Sequence, residues 1–230
     1  MACFNGEKYI SSQISSILNQ LSQDDELIVS DDSSTDNTIA VVKTFNDKRI
    51  KIIANQKSKG YTGNFENAII YASGDIIFLS DQDDIWVDDK VQTMLSVLKY
   101  SDLVVCDAQF VDKDLNPFNE TYFSLRGGKK GFLNNIYKSR YLGGCMAFKR
   151  KILSKVLPFP NNHTLCPHDL WITLIAELYF KVDIIHKSLI LYRRHEANVS
   201  EGGGKSKNSI FKMLLFRLYP VLMLFTRMLR

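Results

Sequence analysis

Two short apolar runs each end in a cluster of carboxylates, and this pairing constrains the chain more than any other feature. Residues 26–30 run into Asp31-Asp32-Ser33-Ser34, and residues 75–79 run into Ser80-Asp81-Gln82-Asp83-Asp84. Short apolar runs bounded by turn residues read as buried strands. In an open α/β sheet, ligands bind outside the carboxyl ends of the strands. If these two strand ends are neighbours, several acids face one crevice.

The rest of the first half alternates helices with strands. Ile10, Ile14, Ile17, Leu18 and Leu21 fall on one helical face. Ser33 or Ser34 is placed to cap a helix running to about Phe45, with Asp36 where the helix dipole favours an anion. A strand at 49–53, a loop holding Gly60 and Gly63, and a helix at about 64–72 follow. Val91, Leu95 and Leu98 mark the next helix, before a strand at 103–106. Strands alternating with helices of this length imply an α/β fold, a mostly parallel, Rossmann-like sheet with helices on both faces. Beyond Asp107 the pattern loosens. Residues 111–131 read as a loop or an acceptor-side insertion, followed by a strand (143–148), two helices (149–156 and 169–180) and a strand region (182–192). Residues 201–208 form a Gly-rich, polar linker.

With 230 residues, 45% of them hydrophobic, the chain can build one substantial core. A net charge of +4 gives no reason to expect a nucleic-acid partner. The four cysteines form no C-x-x-C pair, which points to buried, reduced thiols in the cytoplasm. The opening MACFNGEKYI lacks the charged start and apolar run of a signal peptide. The longest uncharged run of the tail, 218–226, is far short of the roughly 20 apolar residues of a spanning helix.

Four places carry candidate chemistry. Asp31-Asp32 is either a capping turn or a ligand site. Asp81, Asp83 and Asp84 pack negative charge into one turn, which a hard divalent cation would relieve; Mg²⁺ is typically held by one or two carboxylates plus substrate phosphates. Asp169, in His168-Asp169-Leu170-Trp171, is a helix N-terminal acid or a general base whose apolar surroundings raise its pKa. Arg193-Arg194-His195 is a solvated basic turn or a group offsetting the charge of a departing diphosphate. His163, Cys166 and His168 do not make a recognised zinc spacing. A sugar-1-phosphate nucleotidyltransferase would need a Gly-rich basic loop near the start, and a dehydrogenase a G-x-G-x-x-G after a strand; neither occurs.

The phrases FNGEKYISSQISSILNQ, ELIVSDDSSTDNT, GDIIFLSDQDDIWVDDK, GGCMAFKR, PHDLW and YRRHEANVS stand in the order found in glycosyltransferase family 2. The chain resembles its bacterial rhamnosyltransferase-like members, which assemble surface polysaccharides, over roughly residues 2–200. The resemblance implies a GT-A fold, a nucleotide-sugar-binding half (1–107) and an acceptor half (108–200). It also implies inverting transfer of a hexosyl or deoxyhexosyl group from a UDP- or dTDP-sugar to a lipid-linked saccharide, with Mg²⁺ or Mn²⁺. Carried onto this sequence, Asp32 contacts the pyrimidine, with Asp31 nearby. Asp83 binds the metal and Asp81 completes that motif. Asp169 takes the acceptor's proton, and His195 with Arg193 lies over the diphosphate. One departure stands out: the first strand, several apolar residues long in relatives, is largely missing before Met1-Ala2-Cys3, and Ala2 replaces a hydroxyl residue. A start assigned too late is one explanation; a truncated, non-catalytic remnant that only binds is the alternative.

In the tail, 209–230, Lys212, Arg217, Arg227 and Arg230 fall on one helical side, with Phe211, Leu214, Leu215, Leu218, Leu222 and Phe225 filling most of the rest. This reads as an amphipathic helix on the anionic inner face of the cell membrane, or as a helix docked on this or another chain.

Overall fold

The computed structural model describes residues 1–196 and 209–228, so the expected linker at 201–208 and Arg230 lie outside the described residues. The first half runs β1 (Ala2–Cys3), α1 (Ile10–Leu18), β2 (Leu27–Asp31), α2 (Thr38–Thr44), β3 (Ile50–Ala54), α3 (Tyr61–Tyr71), β4 (Ile76–Phe78), β5 (Ile85–Trp86) and α4 (Lys90–Leu98). The second half runs β6 (Leu103–Val111), β7 (Pro117–Thr121), α5 (Tyr122–Arg126), α6 (Phe132–Tyr137), β8 (Met146–Lys149), α7 (Leu153–Val156), α8 (His168–Tyr179), β9 (Val182–Arg193) and α9 (Ile210–Met228).

β1, β2 and β3 form a parallel sheet in that order. The second sheet runs β4-β8-β6-β9-β5, with β7 paired to β6. Only β6 and β9 are parallel there, so the sheet of the first half is parallel and that of the second is mixed. The reason is connection length: β7 returns from β6 by a tight turn, and antiparallel neighbours need no crossover helix. Ala2 N–H donates to Ser80 O at 3.3 Å, which joins the edge of the first sheet to the end of β4. The ends of β2 and β4, and so the two acid clusters, are brought to one rim.

β6 is the spine of the core: Leu103, Val104, Val105 and Cys106 are wholly buried. α8 buries Trp171, Ile172, Leu174 and Ile175 in the same core, which accounts for its nearly unbroken apolar sequence. α1 buries Ile10, Ile14 and Ile17, as its spacing requires. Asn64 and Asn67 of α3 donate to backbone oxygens of Cys3, Ser30 and Ala54, fixing that helix across β1, β2 and β3. All four cysteines are buried and unbridged.

Several local expectations change. α2 begins at Thr38, because Ser34 is taken by Asp31, to which its hydroxyl donates at 2.5 Å; Asp36 accepts the Thr38 N–H at 2.9 Å. α3 starts three residues early, at Tyr61, after Gly60 takes the left-handed φ of +96° that the turn demands. The segment 111–131 is not simply a loop but holds β7 and α5, the latter capped by Thr121, whose hydroxyl accepts the Ser124 N–H.

The tail docks on its own chain. Arg217 donates to Tyr137 O at 2.8 Å, Arg227 donates to the carbonyls of Leu157 and Pro158, and Tyr219 OH accepts from Asn162 N–H at 3.0 Å. Leu224 and Pro220 are buried beneath α9. The basic side expected to meet a leaflet is therefore turned, at Arg217 and Arg227, onto the domain. What faces outward is a row of Leu214, Leu218, Leu222 and Phe225, each more than half exposed. No described helix is long and apolar enough to cross a membrane.

Candidate active site

A cleft of about 1920 Å³ opens along the rim where β1, β2 and β4 end. Single drug-sized sites occupy about 300–1,000 Å³, so there is room for two substrates at once. Asp32, Asp81, Asp83, Asp169 and His195 all line it; Asp31 and Arg193 do not.

At one end, Asp32 accepts from Asn55 Nδ2 and from Gly60 N–H, both at 2.7 Å, and so ties the loop after β2 to the loop before α3. Asp31 faces inward, accepting from the backbone N–H and hydroxyl of Ser34 and from Cys3 Sγ, and organises that loop from behind. Gln82 clamps the opposite lip, accepting from Phe4 N–H at 2.8 Å and donating to Phe4 O at 2.9 Å.

The acid turn after β4 is the electrostatic centre. Burial, then the charges of Asp83 and Asp169, push the Asp81 carboxyl up to about 7. Asp84 is raised well above the carboxylate range by burial, then by Asp83 and Asp81. Its Oδ1 accepts the Arg193 N–H at 3.2 Å, and its Oδ2 is buried with no hydrogen-bond partner. Asp83 Oδ2 meets His195 Nε2 at 2.9 Å. Among the described residues no three His, Cys, Asp or Glu side chains are arranged to hold a metal by themselves. The repulsion among these acids and the orphaned Asp84 oxygen nevertheless fit a cation whose remaining ligands come from elsewhere, the usual situation for Mg²⁺.

Arg193 lies behind this turn. It is 4% exposed; its Nε donates to Asp83 O at 2.9 Å and its Nη1 to Lys113 O at 2.7 Å, with the guanidinium over Tyr9. Arg194, its neighbour, lines the cleft instead. Extended strand alternation at the end of β9 sends the two arginines to opposite sides.

Asp169 sits at the start of α8. Burial raises its carboxyl to about 6, against backbone hydrogen bonds that include one from Leu170 N–H at 2.7 Å. The preceding His168 is held neutral, burial lowering its pKa to about 3; the ring stacks on Phe65 at 4.1 Å. A Cβ on Gly143 would lie 2.5 Å from His168 Nε2, and one on Gly144 would lie 3.1 Å from Asp81 Oδ2. The Gly143-Gly144 backbone is thus the spacer between the acid turn and the Asp169 helix.

Sequence reasoning missed Lys90. It is wholly buried, donates to Gly144 O at 2.9 Å and lies 4.1 Å from the Trp86 ring centroid, with its charge facing Asp84 and Asp81. The signal was present: Lys90 precedes Met94 and Leu98 at helical spacing, a lysine on the buried stripe.

Carboxylates at adjacent strand ends and a buried acid across the cleft give an α/β fold with one large, acid-lined cleft. Residues 1–157 match the profile of Glycosyl transferase family 2, and the chain belongs to that family. Its fold is the α/β GT-A type. It is 30% identical, over 77% of its length and 68% of the relative's, to a UDP-Glc:alpha-D-GlcNAc-diphosphoundecaprenol beta-1,3-glucosyltransferase of Escherichia coli. It is also 30% identical, over 86% of its length and 72% of the relative's, to a dTDP-rhamnosyl transferase of Shigella flexneri. Among solved structures, S. aureus TarS in complex with UDP-GlcNAc superposes with a TM-score of 0.74 at 18% identity, covering 96% of this chain and 65% of that one. A mannosyltransferase from Pyrobaculum calidifontis in complex with GDP-Man and Mn2+ gives 0.61 at 18% identity, over 85% of this chain and 56% of that one. The chain spans less than two thirds of the solved structures it matches. It is related to bacterial glycosyltransferases.

Proposed function

We propose that the chain transfers a hexosyl or deoxyhexosyl group, with inversion, from a UDP- or dTDP-sugar to a lipid-linked saccharide, with Mg²⁺ or Mn²⁺ bound at Asp83. The observation that carries this is the placement of one raised-pKa carboxylate, Asp169, across the cleft from the Asp81–Asp84 turn.

The base of the donor rests at Asp32, whose loop Asp31 keeps in shape. Asp83, with Asp81 beside it, would hold the divalent ion, which would supply neutralising charge to the diphosphate. His195 and Arg194 cover that diphosphate from the end of β9, and Arg193 braces the turn from behind. Asp169 accepts the proton of the acceptor hydroxyl as that oxygen bonds to the anomeric carbon and the carbon–diphosphate bond breaks with its electron pair. A carboxylate with a pKa of about 6 is ionised at neutral pH and still basic enough for this step. A single attacking oxygen and a single displacement give inversion. We assign residues 1–107 to donor binding and 108–200 to the acceptor half, with α9 as a peripheral membrane contact on the inner face of the cell membrane through its outward apolar row.

The test is release of nucleoside diphosphate from a panel of UDP- and dTDP-sugars, with Mn²⁺ or Mg²⁺ present and then chelated. Metal-dependent release from one donor, lost in Asp83→Ala, is the expected result. Release that survives chelation would remove the metal from the scheme.

A further inference from the structure

The end of the cleft away from the acid turn is cationic. Arg126 closes α5, Lys138 follows α6 and Arg217 lies on α9; all three line the cleft. They are held as a unit. Lys138 Nζ donates to Leu125 O at 3.0 Å, and Arg140 Nη1 donates to Arg126 O at 2.6 Å and Gly127 O at 3.1 Å. Arg217 reaches Tyr137 O from α9. None of these four cations has an ion pair with a carboxylate among the described residues.

Capping the end of α5 does not account for the cluster. A guanidinium has five donors and an ammonium three, and these carbonyls take only one or two from Lys138, Arg140 and Arg217. The Nε of Arg126 and of Arg140 are buried and hydrogen-bond to nothing. Burial, and the charges of Arg126 and Arg140, also hold Lys138 below its ordinary range. Like charges crowded together with donors left over cost stability unless an anion answers them.

The surroundings say which anion. Leu125, Ile136, Met213 and Phe216 line the same end of the cleft, so the cations sit beside an apolar wall. Arg126 is also near enough to Asp169 for its charge to draw that carboxyl downward. We infer that Arg126, Lys138 and Arg217 form an anion subsite for the diphosphate of an alkyl diphosphate-linked sugar, the alkyl chain leaving along the apolar wall and a free sugar hydroxyl reaching Asp169. This reading rests on Asp169 being the base.

Binding is measured directly, on the full chain without divalent ion, by titrating decyl diphosphate and, separately, inorganic diphosphate. Decyl diphosphate is expected to bind at least tenfold more tightly than inorganic diphosphate, and the Arg126→Gln/Lys138→Gln double variant to weaken decyl diphosphate tenfold or more. If the double variant does not fold, Lys138→Gln alone is expected to weaken it about threefold. Equal binding of the two probes would make this a free-phosphate site and overturn the lipid assignment. Unchanged affinity in the folded variants, or no binding by the unaltered chain, would overturn the subsite. No transfer is needed for this reading, so its failure is separate from a failure of donor hydrolysis.

Discussion

Asp169 carries opposite consequences for stability and for catalysis. Burial raises its carboxyl to about 6, above the ordinary carboxylate value of 3.8. The folded chain therefore prefers the protonated acid, and stability falls as pH rises from 3.8 to about 6, then stays level. A shift of this size is worth roughly 3 kcal/mol. Asp169→Asn, which keeps the shape and removes the charge, is expected to melt higher than the unaltered chain at pH 8, with the gain fading by pH 4. The same substitution removes the proposed base. Transfer by the unaltered chain should rise with pH to a plateau with an inflection near 6, and the variant should lose about 10²–10⁴-fold in rate. Thermal melts and a pH–rate profile check the two halves independently. A variant that melts lower at pH 8 would mean that the carboxylate is held by contacts rather than strained by burial.

Elements differ in how far the sequence discloses them, and the reason is which face is buried. The acid clusters were legible because an apolar run that stops in carboxylates has few other readings, and both do lie at one rim of the sheet. Asp32, Asp81, Asp83, Asp169 and His195 all reach the cleft. Arg194 faces the cleft and Arg193 does not, because a one-residue difference along a strand exchanges the two sides. The mixed pairing of β8 and β5 was not legible, since strand direction depends on connections that the apolar pattern does not record. α9 is the sharpest case. Its sequence is apolar over most of its circumference, so periodicity separates the arginines from the leucines without saying which side packs. The structure places Arg217, Arg227 and Leu224 on the domain and leaves Leu214, Leu218, Leu222 and Phe225 outside. The two sides are accordingly expected to separate by experiment. Changing the four outward residues to Ser should lower sedimentation with anionic vesicles about tenfold or more and leave the melting temperature within a degree or two. Leu224→Ala should lower stability by about 2–4 kcal/mol with vesicle binding retained in the folded fraction. If the outward changes destabilise the chain instead, that row covers something the domain needs.

At the scale of the molecule, the acid turn is strained alone and relieved in company. Asp81 and Asp84 are held above the ordinary carboxylate range by burial and by the charge of Asp83, and Lys90 is a buried cation facing them. Lys90 holds Gly144, and Gly144 abuts Asp81, so the turn, the glycine spacer and the Asp169 helix respond together. Binding of a divalent ion and of a nucleoside diphosphate should therefore reinforce each other, because each supplies part of what the other lacks: charge for the carboxylates, ligands for the ion. A ligand at one hundred times its dissociation constant adds about 2.7 kcal/mol, which for a chain of this size is a rise of roughly 5–10 °C. UDP with Mn²⁺ is expected to raise the melting temperature by more than the sum of UDP alone and Mn²⁺ alone. In Asp83→Ala the excess should vanish, while the smaller rise from UDP alone, which depends on Asp32, persists. An excess that survives in Asp83→Ala would move the ion to another carboxylate of the turn, and additive shifts would mean that ion and nucleotide bind without meeting.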